Sequence, residues 1–192
     1  MFSQIIRPAV LMMVVMSVLT GVIYPLVITG LAQLAFPDQA NGSLILEDGQ
    51  PVASSLIGQP FGDPKYFWSR PSATGPFPYN ASASSGSNLG PIEPNLTSAF
   101  KARVDALKQA DPGNEKLIPV DLVTASASGL DPHISPAAGD YQISRVARAR
   151  GLDEGTVRIL LEKHTAHRAF GLLGEDRVNV VTLNLALDQG RH

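Results

Sequence analysis

The chain has 192 residues, a formal net charge of −2 at pH 7 and no cysteine. The near-neutral charge gives no general attraction to nucleic acid or anionic lipid, and the absence of cysteine excludes disulfides and thiolate metal sites.

The first predicted element is a long apolar segment near the N-terminus. Thirty consecutive residues between Arg7 and Asp38 carry no formal charge, and about 20 apolar residues cross the hydrocarbon core of a bilayer. We therefore predict a transmembrane anchor helix at residues 1–37 and a single domain at 38–192. A cleaved secretory signal is the alternative, but its apolar centre of about 7–15 residues is much shorter than this segment.

The charges beside the anchor predict its orientation. Arg7 precedes the apolar segment, whereas the first basic residue after it is Lys65. Basic residues close to a transmembrane helix tend to stay in the cytoplasm. The asymmetry favours a cytoplasmic N-terminus and an extracytoplasmic domain.

Two residues inside the anchor bear on contacts with other helices. Pro25 removes a backbone donor and predicts a kink near Tyr24–Pro25. Gly21 leaves a flat surface that another helix can approach closely. The segment is either a plain anchor or a helix packed against partner helices, and in the second case Gly21 and Pro25 are the candidate contacts.

Short apolar segments separated by turn residues follow the anchor. Residues 43–46 and 51–57 predict a β-hairpin whose turn contains Asp48 and Gly49. Residues 66–68 predict a further short strand.

A long loop follows at residues 69–95, where Ser, Gly, Pro and Asn dominate. It nevertheless keeps Phe77, Tyr79 and Leu89. Because long loops inside compact domains are usually functional or disordered, these apolar residues predict an ordered loop that packs against another surface. They are candidate partner contacts.

The second half of the chain is predicted to be mainly helical. Apolar residues at spacings of three and four predict a helix over 94–110. A second helix begins at Ser135-Pro136 and ends at Gly151, and a third follows Asp153. Residues 178–183 alternate weakly and predict a strand. Short strands followed by several helices indicate an α+β fold.

No catalytic or metal-binding motif stands out in the sequence. It contains no P-loop, no G-x-S-x-G and no H-E-x-x-H. His164 and His167 could share a helix face with Glu162, as metal ligands would. We favour a helix end with solvated histidines, because His164 continues the apolar stripe of its helix. We predict no catalytic residue and no metal site.

One segment also fits a DNA-binding protein. Residues 146–161 read as helix, glycine turn and helix, the form of a helix-turn-helix, and arginines there could contact phosphates. The neutral charge, Asp153 and Glu154 at the start of the second helix, and the predicted location of the domain favour a structural helical hairpin. We therefore expect no nucleic-acid partner.

Ordered blocks of sequence along nearly the whole chain carry a specific resemblance. They are SLIGQ at 55–59, YFWSRPS at 66–72, SGSNLGP at 85–91, PVDLVTAS at 119–126, SGLDPHISPAA at 128–138, YQ at 141–142, RVARARG at 145–151, HT at 164–165 and the segment 179–188. With the N-terminal apolar helix, these blocks make the chain similar to the KdpC family, which belongs to the bacterial Kdp potassium-transporting ATPase.

The resemblance implies an accessory, non-catalytic subunit of an ATP-driven potassium uptake complex in the bacterial inner membrane. Its partners would be an ATP-hydrolysing subunit, a channel-like subunit that conducts potassium, a small fourth subunit and the lipid bilayer. The sequence is consistent with this, because it has neither the phosphorylated loop of P-type ATPases nor a potassium filter motif. A membrane-anchored binding module that acts alone is the competing interpretation.

The resemblance also implies candidate residues. Members of the KdpC family are described as chaperones of ATP binding by the hydrolysing subunit, which carries over to Ser128, Gly129 and Gln142. The chain would have no cofactor of its own and would at most share that ATP. An extracytoplasmic domain could instead order the potassium entrance of the channel-like subunit, with Asp121 and Asp131 as further candidate contacts. Helix and turn capping is the simpler interpretation of each acid.

Overall fold

The computed structural model describes residues 2–190. They form two compact units, the first ending at Leu44 and the second beginning at Ile45. Helices and short strands are mixed, and the strands of a hairpin precede most of the helices. The predicted α+β class is confirmed.

The first unit is almost entirely helical. Helix α1 (Phe2–Val18), a π-helical turn (Leu19–Ile23) and helix α2 (Tyr24–Ala35) follow one another directly, and a short helix α3 (Pro37–Ala40) comes next. Gln4–Ala35 form one continuous helical segment of 32 residues, none of them buried, which is long and apolar enough to cross a membrane.

The backbone of this segment is irregular where the sequence predicts a break. Pro25 has no N–H to donate and its ring clashes with the preceding turn, and the π-helical turn ends directly before Tyr24. The Thr20 hydroxyl donates to the Met16 carbonyl at 2.7 Å. Such π-turns are a recognised way of accommodating an interruption in a helix.

The second unit begins with the predicted hairpin, which is confirmed. Strands β1 (Leu44–Glu47) and β2 (Gln50–Ser54) pair with each other. Asp48 and Gly49 between them have φ values of +50° and +76°. Positive φ at both central residues is what a two-residue hairpin turn of type I′ requires.

The three helices predicted from periodicity and capping residues are also confirmed. They are α4 (Pro94–Ala110), α5 (Pro136–Arg150) and α6 (Glu154–Lys163). The Ser135 hydroxyl accepts from the Ala138 N–H at the start of α5, and the Asp153 carboxylate caps α6 in the same way. Gly151 ends α5 with a φ of +66°, a conformation that glycine adopts without strain.

A small antiparallel sheet lies in the second half of the chain. Its strands are β3 (His133–Ile134), β4 (Thr165–Ala166) and β5 (Arg177–Asn179), with β5 in the centre. Val178 of β5 is opposite Ile134 on one side and Thr165 on the other.

The prediction of a strand over residues 178–183 is wrong beyond Asn179. Helix α7 (Val180–Asp188) begins there, because the Asn179 side chain accepts from the N–H groups of Val181 and Thr182 and so caps a helix. Val180, Val181 and Leu183 are completely buried. Burial of this face outweighs the preference of β-branched residues for strands.

The core of the second unit lies where α5, α6 and α7 meet, with loop residues added to it. Its largest fully buried apolar side chains are Phe67, Ile143, Leu183, Val146, Val157, Val178, Val180 and Val181. Leu107 of α4 and Leu122 belong to the same cluster. Phe67 is the member that brings the loop-rich segment before α4 into this core.

The prediction of a strand over residues 66–68 is wrong. Phe67 is fully buried, but the backbone of Phe67 and Trp68 has no strand partner among the described residues. Two side-chain amides take the place of a partner strand.

Candidate functional site

Gln142 and Asn184 bind the backbone of residues 67–68 inside the domain. The Asn184 carboxamide accepts from the Phe67 N–H and donates to the Phe67 carbonyl, both at 2.9 Å. The Gln142 carboxamide does the same for Trp68, at 2.7 and 3.2 Å. Each side-chain amide therefore makes the two backbone hydrogen bonds that a residue of a neighbouring strand would make. We call these four hydrogen bonds the amide clamp.

Arg145 completes the clamp. Its guanidinium donates to the carbonyls of Pro64 and Tyr66 and to the Gln142 oxygen, and it lies 4.6 Å from the ring centre of Trp68. The side chain is only 4% exposed, and burial lowers its pKa from 12.5 to about 10. Three oxygens and an aromatic face, rather than a carboxylate in direct contact, surround the buried charge.

Gln142 is thus occupied by protein groups. Its nitrogen also donates to the Ala138 carbonyl at 3.1 Å, and the side chain is completely buried. Its three other partners are Trp68 N–H, Trp68 carbonyl and Arg145. A carboxamide in this position has no free group to offer a nucleotide.

Ser128 and Gly129 form a turn that holds the long loop. The Gly129 carbonyl accepts from the Ser72 hydroxyl at 2.7 Å, and the Ser128 carbonyl accepts from the Ser84 hydroxyl at 3.0 Å. Gly129 has a φ of +68°, and a Cβ there would lie 2.8 Å from the Ser85 carbonyl. Only glycine fits this turn. Ser128 is exposed, and its bonding partners are separate from those of Gln142.

The long loop is ordered around Ser72 and Tyr79. The Ser72 hydroxyl accepts from the Tyr79 N–H at 2.9 Å, and the Tyr79 hydroxyl donates to the Arg70 carbonyl. Burial raises the pKa of Tyr79 to about 12. Tyr79 therefore acts mainly inside the loop, whereas Phe77 is 57% exposed and Leu89 is 36% exposed.

Asp121 and Asp131 are engaged inside the domain. Asp121 accepts from the Ser135 N–H at 2.7 Å and from its hydroxyl at 3.2 Å. Asp131 accepts from the His133 N–H at 3.0 Å and pairs with Arg70 at 3.3 Å. Burial alone would raise the pKa of Asp131, but hydrogen bonds from His133 and the charges of His133 and Arg70 lower it overall. Both acids stabilise turns.

In the N-terminal helix, the candidate contacts are accessible. Gly21 is exposed and has open space where a Cβ would lie. Pro25, which is also exposed, follows the π-helical turn.

The two histidines considered as metal ligands have separate partners. His164 Nδ1 lies 3.0 Å from the Thr182 hydroxyl, and burial lowers the pKa of His164. His167 lies 3.4 Å from Asp176. Within residues 2–190, no three or more His, Asp or Glu side chains converge as metal ligands would.

The arginines considered for DNA binding each pair with an acid of the same domain. Arg158 pairs with Asp140. Arg148 pairs with the buried Asp111 at 3.1 Å, and Arg150 pairs with Asp188 at 2.8 Å. The geometry supports the structural helical hairpin.

Comparison with known proteins decides the family. The model of the family "K+-transporting ATPase, c chain" matches residues 6–189. The chain belongs to the KdpC family. It is 66% identical to the potassium-transporting ATPase KdpC subunit of Polaromonas naphthalenivorans (strain CJ2) over 186 residues, which cover 97% of this chain and 95% of the relative.

Other members of the family are similar in sequence to this chain over comparable lengths. The KdpC subunit of Herpetosiphon aurantiacus is 64% identical over 95% of both chains. That of Methylococcus capsulatus is 63% identical over 95% of this chain and 96% of the relative. The chain is therefore a subunit of a potassium-transporting ATPase complex, and it acts with other subunits.

Sequence reasoning missed the most tightly bound polar residues of this KdpC-family domain. Asn184 directly follows the segment predicted as a strand, and Arg145 appeared only as part of the RVARARG block. One signal was present: Gln142 and Arg145 lie between Tyr141, Ile143 and Val146 on a face that is otherwise apolar. Polar residues on a core-facing stripe need internal partners.

We predict that Gly58→Ala destabilises the domain. A Cβ at this position would overlap the Tyr79 ring and lie 2.9 Å from the Asp131 carbonyl, so the loop would have to shift, at a cost of about 1–3 kcal/mol in the free energy of unfolding. Trp68 is the single tryptophan of the chain, and its fluorescence in detergent during urea unfolding measures the effect.

The matched control is Gly62→Ala. Gly62 is exposed, and the position that a Cβ would take there is open space, so the change should alter stability by no more than about 0.5 kcal/mol. Equal unfolding midpoints for the two variants would contradict the close packing of Tyr79 on Gly58.

Proposed function

We propose that the chain is a non-catalytic subunit, held in the bilayer by the helix Gln4–Ala35, whose domain stabilises the assembled potassium-transporting ATPase from outside the cytoplasm. One observation carries this proposal. The candidate Gln142 and its neighbour Arg145, the side chains most suited to binding a ligand, bond to protein groups in the interior. What the domain offers to other molecules is its surface.

The orientation rests on charge. Arg7 lies before the apolar helix, and Lys65 is the first basic residue after it. Positive residues near a transmembrane helix favour the cytoplasmic side. We therefore infer that the domain lies on the extracytoplasmic side of the bacterial inner membrane.

The role in ATP binding takes an indirect form in this proposal. ATP is cytoplasmic, and of the three residues implied by the family resemblance only Ser128 is exposed. We infer that an effect of the chain on ATP affinity passes through contacts with the ATP-hydrolysing subunit. This effect on ATP affinity does not require the nucleotide to contact Ser128, Gly129 or Gln142.

The channel-like subunit is the natural neighbour of an extracytoplasmic domain, because potassium enters from that side. Phe77 is exposed on a loop whose base is hydrogen-bonded through Thr74 and Asn80. Gly21 and Pro25 are available to neighbouring helices. Contacts of these two kinds would fix the position of the channel-like subunit, with its small neighbouring subunit, and order the potassium entrance.

We predict that removing residues 45–192 while keeping the helix abolishes the function of the chain. The complex should lose subunits during purification in detergent, and cells should lose potassium uptake at low external potassium, because the domain supplies the stabilising contacts. Full assembly and full uptake with the helix alone would refute the proposed function. The full-length chain expressed from the same plasmid is the control.

We also predict that Gln142→Leu lowers stability without changing nucleotide affinity. The change leaves buried polar groups of Trp68 and Arg145 without partners, which costs about 1–3 kcal/mol for each unsatisfied group. Tryptophan fluorescence during urea unfolding should show the loss. The KM for ATP of the assembled complex should stay within about twofold of the unaltered complex, a difference below about 0.5 kcal/mol.

The matched control for this variant is Gln109→Leu. Gln109 lies on α4 and is exposed, so the same chemical change there should leave the unfolding midpoint unchanged. A raised KM for ATP together with normal stability of the Gln142 variant would support direct nucleotide binding and contradict the indirect role.

A further inference from the structure

The loop between β4 and β5 exposes a compact apolar tip. We call residues 167–176 the β4–β5 finger. Phe170 is 94% exposed, Leu172 is 81% exposed and Leu173 is 65% exposed. Exposed apolar residues grouped on one loop, rather than scattered singly, are typical of a contact surface.

The tip is held in one conformation by its own backbone. Ala169 and Leu173 pair, with the Ala169 N–H donating at 2.8 Å and its carbonyl accepting from the Leu173 N–H at 3.0 Å. Phe170 has a φ of +54°, an uncommon conformation for a bulky residue. The finger therefore presents its aromatic ring from an ordered turn.

At the base of the finger, each basic side chain is paired with an acidic one. Arg168 pairs with Glu175, and His167 pairs with Asp176 at 3.4 Å. The Arg168 N–H also donates to the Asp176 carboxylate at 3.0 Å. These contacts support the turn and leave the basic groups of the finger already paired.

A groove of about 590 Å³ adjoins the base of the finger. Glu175 and Asp176 line it together with Asp121 and Asp131, and its guanidinium groups are those of Arg70 and Arg177. The lining holds four carboxylates against two guanidinium groups and one histidine, so its acidic side chains outnumber its basic ones. Val120 on its wall is 70% exposed.

We propose that the β4–β5 finger and this groove form one docking surface for another subunit of the same ATPase. That subunit receives Phe170 and Leu172 in an apolar pocket and places a lysine or arginine in the acidic groove. The inference rests on the proposed function and specifies the contact through which it is exerted.

The charges favour another subunit as the occupant over a lipid surface or a second copy of the chain. An anionic lipid surface attracts basic loops, whereas the finger has no excess of basic over acidic side chains and shares Glu175 and Asp176 with the groove. In a symmetric contact between two copies of the chain, each finger would enter the groove of the other copy, but the arginine of the finger is already paired. A different polypeptide with apolar and basic side chains complements both features.

A photoreactive amino acid in place of Phe170 tests the proposal in the complete complex. Illumination of the purified complex should produce a covalent product between the chain and one other subunit, identified by mass spectrometry. A product with lipid, a product with a second copy of the chain, or no product would each overturn it. The same probe in place of Ile159, which is 59% exposed on α6 and outside both the finger and the long loop, is the matched control.

Substitution gives a second, independent measurement. The double variant Phe170→Ser with Leu172→Ser should reduce co-purification of the other subunits by at least about tenfold, since buried aromatic anchors dominate interface energies. Ile159→Ser should leave co-purification unchanged. The fluorescence unfolding midpoint should be the same in both variants, because none of these side chains packs in the core.

The two proposals fail in distinguishable ways. If removal of residues 45–192 disrupts assembly and the double variant does not, the domain stabilises the complex through another surface and the finger proposal is wrong. If removal of the domain has no effect on assembly, the proposed function itself is wrong.

Discussion

The domain depends on the amide clamp that joins its loop-rich segment to its helices. Between Ser54 and Pro94 the chain forms no strand and no α-helix, so this part has little regular backbone pairing of its own. Asn184 of α7 and Gln142 of α5 supply partners for the backbone of Phe67 and Trp68. These bonds place the Phe67 ring in the core, where its burial contributes about 1.5–3 kcal/mol.

The clamp also decides where function can lie. The Gln142 carboxamide has all its hydrogen-bonding groups paired inside the protein, which leaves it no donor or acceptor for a ligand. Gly129 is also engaged within the protein, because its carbonyl accepts from the Ser72 hydroxyl and so holds the loop. We propose that function instead resides in ordered surface features, in particular the exposed Phe77 on the long loop and the β4–β5 finger. Such features would suit a subunit that acts by contact with other subunits.

The sequence predicted those parts of the fold that local signals determine. Ser135, Gly151 and Asp153 mark helix ends, and Asp48-Gly49 marks a hairpin, because in each case the residue itself satisfies the backbone. Prediction failed at 66–68 and 178–183, where distant contacts decide the conformation. No local pattern shows that Phe67 will pair with Asn184, 117 residues later.

The candidate site was predictable to a similar extent. The apolar residues of the polar loop singled out Phe77, which is exposed, and its contact with a partner stays a prediction. A nucleotide-binding role for Gln142 was implied only by resemblance, and its burial depends on tertiary packing. The finger was overlooked although its sequence, Phe170-Gly-Leu-Leu-Gly174 between charged residues, is a recognisable apolar turn.

The location of the domain is the most direct test of this account, because an extracytoplasmic domain excludes contact with cytoplasmic ATP. The chain has no cysteine, so Leu117→Cys, at a position that is 94% exposed, introduces a single thiol into the domain. A membrane-impermeant maleimide, admitted to the outer face of the inner membrane in spheroplasts, should label this thiol fully before lysis. Labelling only after lysis would place the domain in the cytoplasm and contradict the account.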